Sequence, residues 1–188
     1  MTAHAAKGLE WDVVAVTGVH EGVWPDLRVR GGLLEVYGCD PAIWAAVPLG
    51  GSGTTALEAM LSSLLGRDAR LLVLENGVYG ERIRRIAEIH GVDFHALEHD
   101  WTAAIDFGRV ELALAEGRFS HLAAVHHETT TGRLNDVARL AQLCEAHGVE
   151  LLLDAVSSFG AEALPFDSPA LSACAVTANK CLHGIPGL

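Results

Sequence analysis

The sequence predicts an α/β domain built in three layers, with a mainly parallel sheet flanked by helices on both faces. Two observations carry that expectation. From about residue 41 onward, short apolar runs of strand length alternate with longer stretches whose apolar residues recur at helical spacing. Strands that alternate with helices need crossover connections, and crossovers make neighbouring strands parallel. The second observation is where the polar residues fall. Ser52, Asp154 and Lys180 each lie just past the end of an apolar run, and the carboxyl ends of parallel strands are where such sheets gather functional groups.

Taken in order, residues 43–49 read as a strand running into the glycine-rich GGSGTT of 50–55. The following helix spans 55–65, with Leu57, Met60, Leu61, Leu64 and Leu65 at helical spacing and Gly66 as its C-terminal cap. Residues 71–74 form a buried-type strand, 81–90 a helix with Ile83, Ile86 and Ile89 on one face, and 93–97 a strand. A short helix at 110–115 precedes a strand at 122–125. Asn135 is placed to cap a helix running through Leu140, Leu143 and Cys144 to Gly148. Residues 149–153 are a buried strand ending at Asp154, and 171–176 another, leading to Lys180. Residues 12–16 have strand character, but 18–38 are rich in glycine and charge and offer them no partner. The chain therefore divides near residue 38, into an N-terminal segment that is not an independent domain and an α/β domain over 39–188.

Bulk composition excludes several classes. The 188 residues suffice for one sizeable core. A formal net charge of −11 argues against a nucleic-acid partner, which calls for a basic surface. Cys39, Cys144, Cys174 and Cys181 form no C-x-x-C pair, which favours reduced thiols over a disulfide framework or a metal site. The N-terminus has no apolar core of signal-peptide length, and every apolar run falls short of a membrane span. A soluble cytoplasmic protein without a metal is the expectation.

Three places can carry chemistry. A strand, a glycine-rich turn and a helix at GGSGTT offer free backbone N–H groups and the positive end of a helix dipole, a phosphate seat; a simple helix cap reads equally well. Asp154, after an aliphatic run, needs a cation or hydrogen-bond donors, met either by the turn through Ser157 and Ser158 or by a protonated pyridine nitrogen. Lys180 lies in the nearly uncharged TANKCLHGIPG, suited to an amine nucleophile in an apolar site or to a snorkelling lysine. In HHETTTG, adjacent His126 and His127 point to opposite faces and cannot jointly bind a metal, while Thr129 to Thr131 offer hydroxyls. His90, His95 and His99 match no ligand spacing and are placed in solvated or edge positions. No G-x-S-x-G elbow occurs.

In this order, GSGT, ENGVYG, HHETTTG, LLLDAVSSFG and TANKCLHGIPG resemble the class V aminotransferases, fold-type I pyridoxal-phosphate enzymes, over about residues 36–188. Within them the nearest likeness is to the 2-aminoethylphosphonate–pyruvate branch, followed by the alanine–glyoxylate and serine–pyruvate branches. The resemblance implies pyridoxal 5'-phosphate as cofactor, a small amine as donor, pyruvate or a related keto acid as acceptor, and a homodimer. It assigns Ser52, Gly53 and Thr54 to the cofactor phosphate, Tyr79 to stacking on the ring, and Thr129 to the ring oxygen. Asp154 would pair with the pyridine nitrogen and Val156 would pack on the other ring face. Lys180 would carry the Schiff base and shuttle the proton, which makes Lys180 and Asp154 the catalytic pair. Gly50 and Asn179 stand where relatives often have other residues, which leaves the amine open.

Family members continue past the lysine into a last strand, antiparallel between the first and sixth, and into a smaller domain that supplies an arginine for the substrate carboxylate. A gap in the sheet is therefore expected, with poor folding of the chain alone or an unusual strand pairing, and no measurable transamination. Residues 2–26, extending to about 34, resemble motif V of UvrD-type superfamily 1 helicases, with His4 and Lys7 as the DNA contacts that likeness implies. No Walker lysine motif accompanies them, so no NTPase is expected. A non-catalytic chimeric fragment is the competing reading, and a fold-type I lyase or desulfurase a third.

Overall fold

The computed structural model describes residues 12–17, as backbone, and residues 32–183. In chain order the elements are β1 (Asp12–Thr17), β2 (Trp44–Leu49), α1 (Gly53–Leu64), β3 (Arg70–Glu75), α2 (Val78–Ile89), β4 (Asp93–Glu98) and α3 (Phe107–Glu116). They continue with β5 (His121–Val125), β6 (His127–Glu128), β7 (Arg133–Leu134), α4 (Val137–His147), β8 (Glu150–Asp154) and β9 (Leu171–Thr177). Seven strands form one sheet in the order β2-β1-β9-β8-β5-β3-β4, and every pairing in it is parallel. β6 and β7 make a small antiparallel hairpin beyond it.

Both faces of the sheet are covered. Alternate strand residues point to opposite sides, so Leu71, Val73, Ala123, Leu152 and Ala173 pack with Leu57 and Leu61 of α1 and Ile83 of α2. Leu72, Leu74, Leu122, Leu151, Leu153 and Cys174 face the other way, onto Val110 of α3 and Leu140 and Cys144 of α4. This is the three-layer arrangement expected from the alternation of runs. Burial on both sides explains why β8 reads as continuous leucine rather than as an alternating pattern. Leu152 is 0 % exposed at the centre of β8. Leu152→Ala is expected to destabilise the chain by about 2–5 kcal/mol, read as a lower urea midpoint at unchanged slope.

The expected gap in the sheet is closed. β1 lies between β2 and β9, parallel to both, with Val14 opposite Ala46 on one side and Cys174 on the other. The position that the family likeness gives to an antiparallel strand is thus held by the N-terminal DVVAVT, whose β-branched residues suit a strand. The segment after it is also tied in: Leu33 belongs to the α3/α4-side core. Tyr37 stacks edge-on against Phe159 and donates to the Glu162 carbonyl at 2.7 Å. The helicase-like residues 2–11 and 18–31, His4 and Lys7 among them, lie outside the described residues.

Two local expectations are corrected. Asp136, not Asn135, caps α4, its side chain accepting from the Arg139 N–H at 3.0 Å. Asn135 is instead buried, because the Val125 carbonyl at the end of β5 needs a donor and takes the Asn135 amide at 2.8 Å. His99 is buried rather than solvated. Its Nδ1 donates to the Leu97 carbonyl at 3.0 Å, and burial lowers its pKa below the usual histidine value.

Candidate active site

All seven strands of the sheet run the same way, so their carboxyl ends share one edge, and a cavity of about 330 Å³ opens there. Its floor and walls come from the turns after β2, β8 and β9 and from the first turn of α2.

At one end stands the N-terminus of α1. Ser52 is its N-cap: the Ser52 N–H donates to Thr55 Oγ1 at 3.2 Å and the Thr55 N–H to Ser52 Oγ at 3.4 Å, a reciprocal capping box. The turn is therefore a helix cap, and the phosphate reading of the same turn rests on the groups that the cap leaves free. The cap occupies the Ser52 hydroxyl, while the N–H groups of Gly53 and Thr54 at the positive helix end have no protein acceptor among the described residues. Gly53 has to be glycine, since a Cβ there would come within 2.9 Å of methyls on both Thr177 and Val156.

Arg82 joins this end, and sequence reasoning missed it. Its Nη1 donates to Thr54 Oγ1 at 3.2 Å, and its guanidinium lies 4.7 Å from the centre of the Tyr79 ring. The signal was present: Arg82 is three residues past Tyr79, and i,i+3 residues share a helix face. It stayed hidden because α2 begins at Val78, three residues before the expected start.

Asp154 marks another part of the cavity. It is buried at the end of β8, and the Val156 N–H donates to Oδ1 at 3.1 Å. Burial pushes its carboxyl pKa up to about 6; the Val156 hydrogen bond and the Arg82 charge oppose that rise and Glu128 adds to it. The turn that Asp154 caps thus starts at Val156 rather than at Ser157 or Ser158. Beside it, Thr177 lines the cavity, with its Oγ1 buried and without a partner among the described residues.

Tyr79, Val156 and Lys180 also line the cavity, so the fold brings together Ser52, Gly53, Thr54, Tyr79, Asp154, Val156 and Lys180. Lys180 is exposed, which corrects the expectation of an amine in a buried apolar site: the chain leaves the sheet after Thr177, and Lys180 sits in the turn beyond it. Thr129 is exposed at the tip between β6 and β7 and is not part of the cavity wall. Among the described residues no group of three or more His, Cys, Asp or Glu is arranged to hold a metal ion.

Comparison with known proteins decides the family. The model for class-V aminotransferases matches residues 50–188. The chain belongs to the class-V aminotransferases. This family member is 44 % identical over 147 residues to a 2-aminoethylphosphonate–pyruvate transaminase of Pseudomonas fluorescens, covering 76 % of the chain and 39 % of the relative. It is 40 % identical over 157 residues to the Pseudomonas aeruginosa enzyme of that name, covering 83 % and 42 %. Among solved structures, alanine–glyoxylate aminotransferase from Nostoc sp. superposes with a TM-score of 0.76 at 27 % identity, over 85 % of this chain and 42 % of that one. Pyridoxamine–pyruvate aminotransferase from Mesorhizobium loti gives 0.77 at 28 %, over 85 % and 40 %. The chain spans about two-fifths of the length of the curated relatives it matches. These matches lend no support to the helicase-like reading of residues 2–34.

Pyridoxal 5'-phosphate is the cofactor this family implies, and the cavity fits it. Unclaimed N–H groups and a guanidinium suit a phosphate, a buried carboxylate suits a ring cation, and the orphaned Thr177 hydroxyl has a donor to give.

Proposed function

We propose that this chain carries the cofactor-binding half of a transaminase that moves an amino group from a 2-aminoethylphosphonate-like amine to pyruvate. The observation that carries the reading is the pairing of an open helix N-terminus and Arg82 with a buried Asp154 across one cavity. When bound, pyridoxal phosphate supplies an aldehyde to take the amino group and a ring to hold electrons. The chain's own residues do the rest. Gly53, Thr54 and Arg82 hold the phosphate, with Ser52 shaping the turn. Asp154 keeps a proton on the ring nitrogen, since a buried carboxylate recovers its desolvation cost beside a cation. Tyr79 and Val156 enclose the ring and exclude water. Lys180, exposed where the cavity opens, presents Nζ to the cofactor aldehyde and moves the proton between carbon atoms. The family likeness assigns Thr129 to the ring oxygen; Thr129 stands one residue past the buried Glu128, outside the cavity wall of the free chain. The 36–44 % identity to relatives named for 2-aminoethylphosphonate and pyruvate supports the donor and acceptor. Free thiols at all four cysteines and the absence of a membrane-crossing helix among the described residues support a cytoplasmic location. A homodimer is the proposed assembly, on the family likeness.

Titration with pyridoxal phosphate tests the cofactor reading, with saturable binding and a new visible absorption band as the expected result. Arg82→Ala is expected to weaken that binding about tenfold, the scale of one charge-assisted hydrogen bond, and to leave binding of pyridoxal, which lacks the phosphate, unchanged. Equal losses for both ligands would place Arg82 away from the phosphate. The donor is tested on the loaded chain: 2-aminoethylphosphonate should perturb the band at lower concentration than alanine or serine, and an equal response overturns the assignment.

A further inference from the structure

Glu128 is 0 % exposed, a buried carboxylate with no salt bridge among the described residues. Such a group costs several kcal/mol unless hydrogen-bond donors surround it, so its donors indicate what it is for. One oxygen accepts the Tyr79 backbone N–H at 2.9 Å; the other accepts the Thr130 hydroxyl and, at 3.3 Å, the Thr130 N–H. Tyr79 is in the first turn of α2, whose N-cap residue, Gly77, provides no side-chain cap. Glu128 therefore does the capping from a different part of the chain, through an oxygen that reaches the free Tyr79 N–H. Gly77 leaves it the room: a Cβ there would overlap the Glu128 carboxyl carbon. A second buried link joins the same two segments, the Asn76 amide donating to the Asn135 side-chain oxygen at 2.8 Å.

We infer that Glu128 is a positioning residue for the cavity, a cap supplied from the β6–β7 hairpin that fixes the first turn of α2 and so places Tyr79 and Arg82. Both groups that α2 gives to the cavity hang on that turn, so an error in its seating displaces the aromatic wall and the guanidinium together. The same carboxylate sets the conformation of Thr130, next to Thr129. The consequence for binding rests on the cofactor reading above; the capping itself does not.

Two near-isosteric variants separate reach from charge. Glu128→Asp keeps the charge and shortens the side chain by one methylene, so it loses contact with the Tyr79 N–H. Glu128→Gln keeps the reach and one oxygen acceptor, and the Thr130 hydroxyl can turn to accept from the new amide. In the full chain, amide hydrogen exchange at Tyr79 is expected to rise about tenfold in Glu128→Asp, as for a lost helix cap, with exchange in α4 unchanged. Pyridoxal phosphate affinity should fall by a similar factor, along with the circular dichroism induced in its absorption band. Glu128→Gln should keep all three close to the parent. The reverse order, with Asp harmless and Gln damaging, would mean that Glu128 acts through its charge rather than its reach to the Tyr79 N–H and overturns the inference, as would equal behaviour of the two variants. If the parent fails to bind pyridoxal phosphate, the cofactor reading falls, and the exchange experiment still decides whether Glu128 holds the turn.

Discussion

Lys180→Ala is expected to abolish the borohydride-stable adduct between this chain and pyridoxal phosphate. Borohydride reduces the carbon–nitrogen double bond formed between a lysine amine and the cofactor aldehyde, leaving a permanent mass increase on the lysine that reacted. The sequence has two lysines, Lys7 and Lys180, so peptide mapping assigns the label without ambiguity. Exposure makes Lys180 accessible, but accessibility alone predicts slow labelling proportional to cofactor concentration. A cavity that first captures the phosphate raises the effective concentration of the aldehyde at Nζ, so labelling of Lys180 should saturate while any labelling of Lys7 or the terminal amine continues to rise. Arg82→Ala should shift the saturation point without removing the label. Equal labelling of Lys7 and Lys180 at every concentration overturns the assignment of Lys180 as the cofactor lysine.

Much of the fold was legible because its signals are local. A strand buried on both faces, such as β8 with its run of Leu151, Leu152 and Leu153, has to be apolar through its centre, and a surface helix such as α2 has to be apolar on one face; both patterns are visible one segment at a time. β1 was only half legible for the same reason. Its strand character is written in DVVAVT, but its neighbours β2 and β9 are about 30 and 160 residues away, and nothing in six residues names a partner so distant. The site shows the same division. Ser52, Asp154 and Lys180 each mark a strand end, and that placement alone singled out the turns after β2, β8 and β9. Arg82 and Glu128 were missed because their significance is tertiary. Arg82 matters through Thr54, 28 residues back, and Glu128 through an amide 49 residues away. Asn135 was misread for a related reason: a local rule made it a cap, whereas an unsatisfied carbonyl at the end of β5 had already claimed its amide.

Asp154→Asn should have opposite effects on stability and on cofactor binding. In the free chain, burial raises the Asp154 pKa from 3.8 to about 6. The folded state therefore retains a proton between those values that the unfolded state has released, and stability falls as pH rises through that window. Above it the penalty is constant, on the order of 3 kcal/mol at most for a shift of this size; below it there is none. Asparagine is neutral at every pH and its oxygen can still accept the Val156 N–H, so the variant should match the parent near about pH 3.5 and exceed it by about 1–3 kcal/mol near about pH 8. Urea midpoints at the two pH values measure this, and a variant less stable than the parent near pH 8 would show that Asp154 is not held at a cost. Binding should move the other way. A carboxylate beside a ring cation returns the stabilisation that burial removed, and a neutral amide cannot hold a proton on the ring nitrogen. Pyridoxal phosphate affinity should therefore drop at least about tenfold, one unit of differential protonation energy, and the band of the bound cofactor should shift towards that of a neutral ring. Val156 and Arg82 offset only part of that burial, so a variant that gains stability and loses cofactor affinity together would show that the burial of Asp154 serves the ligand.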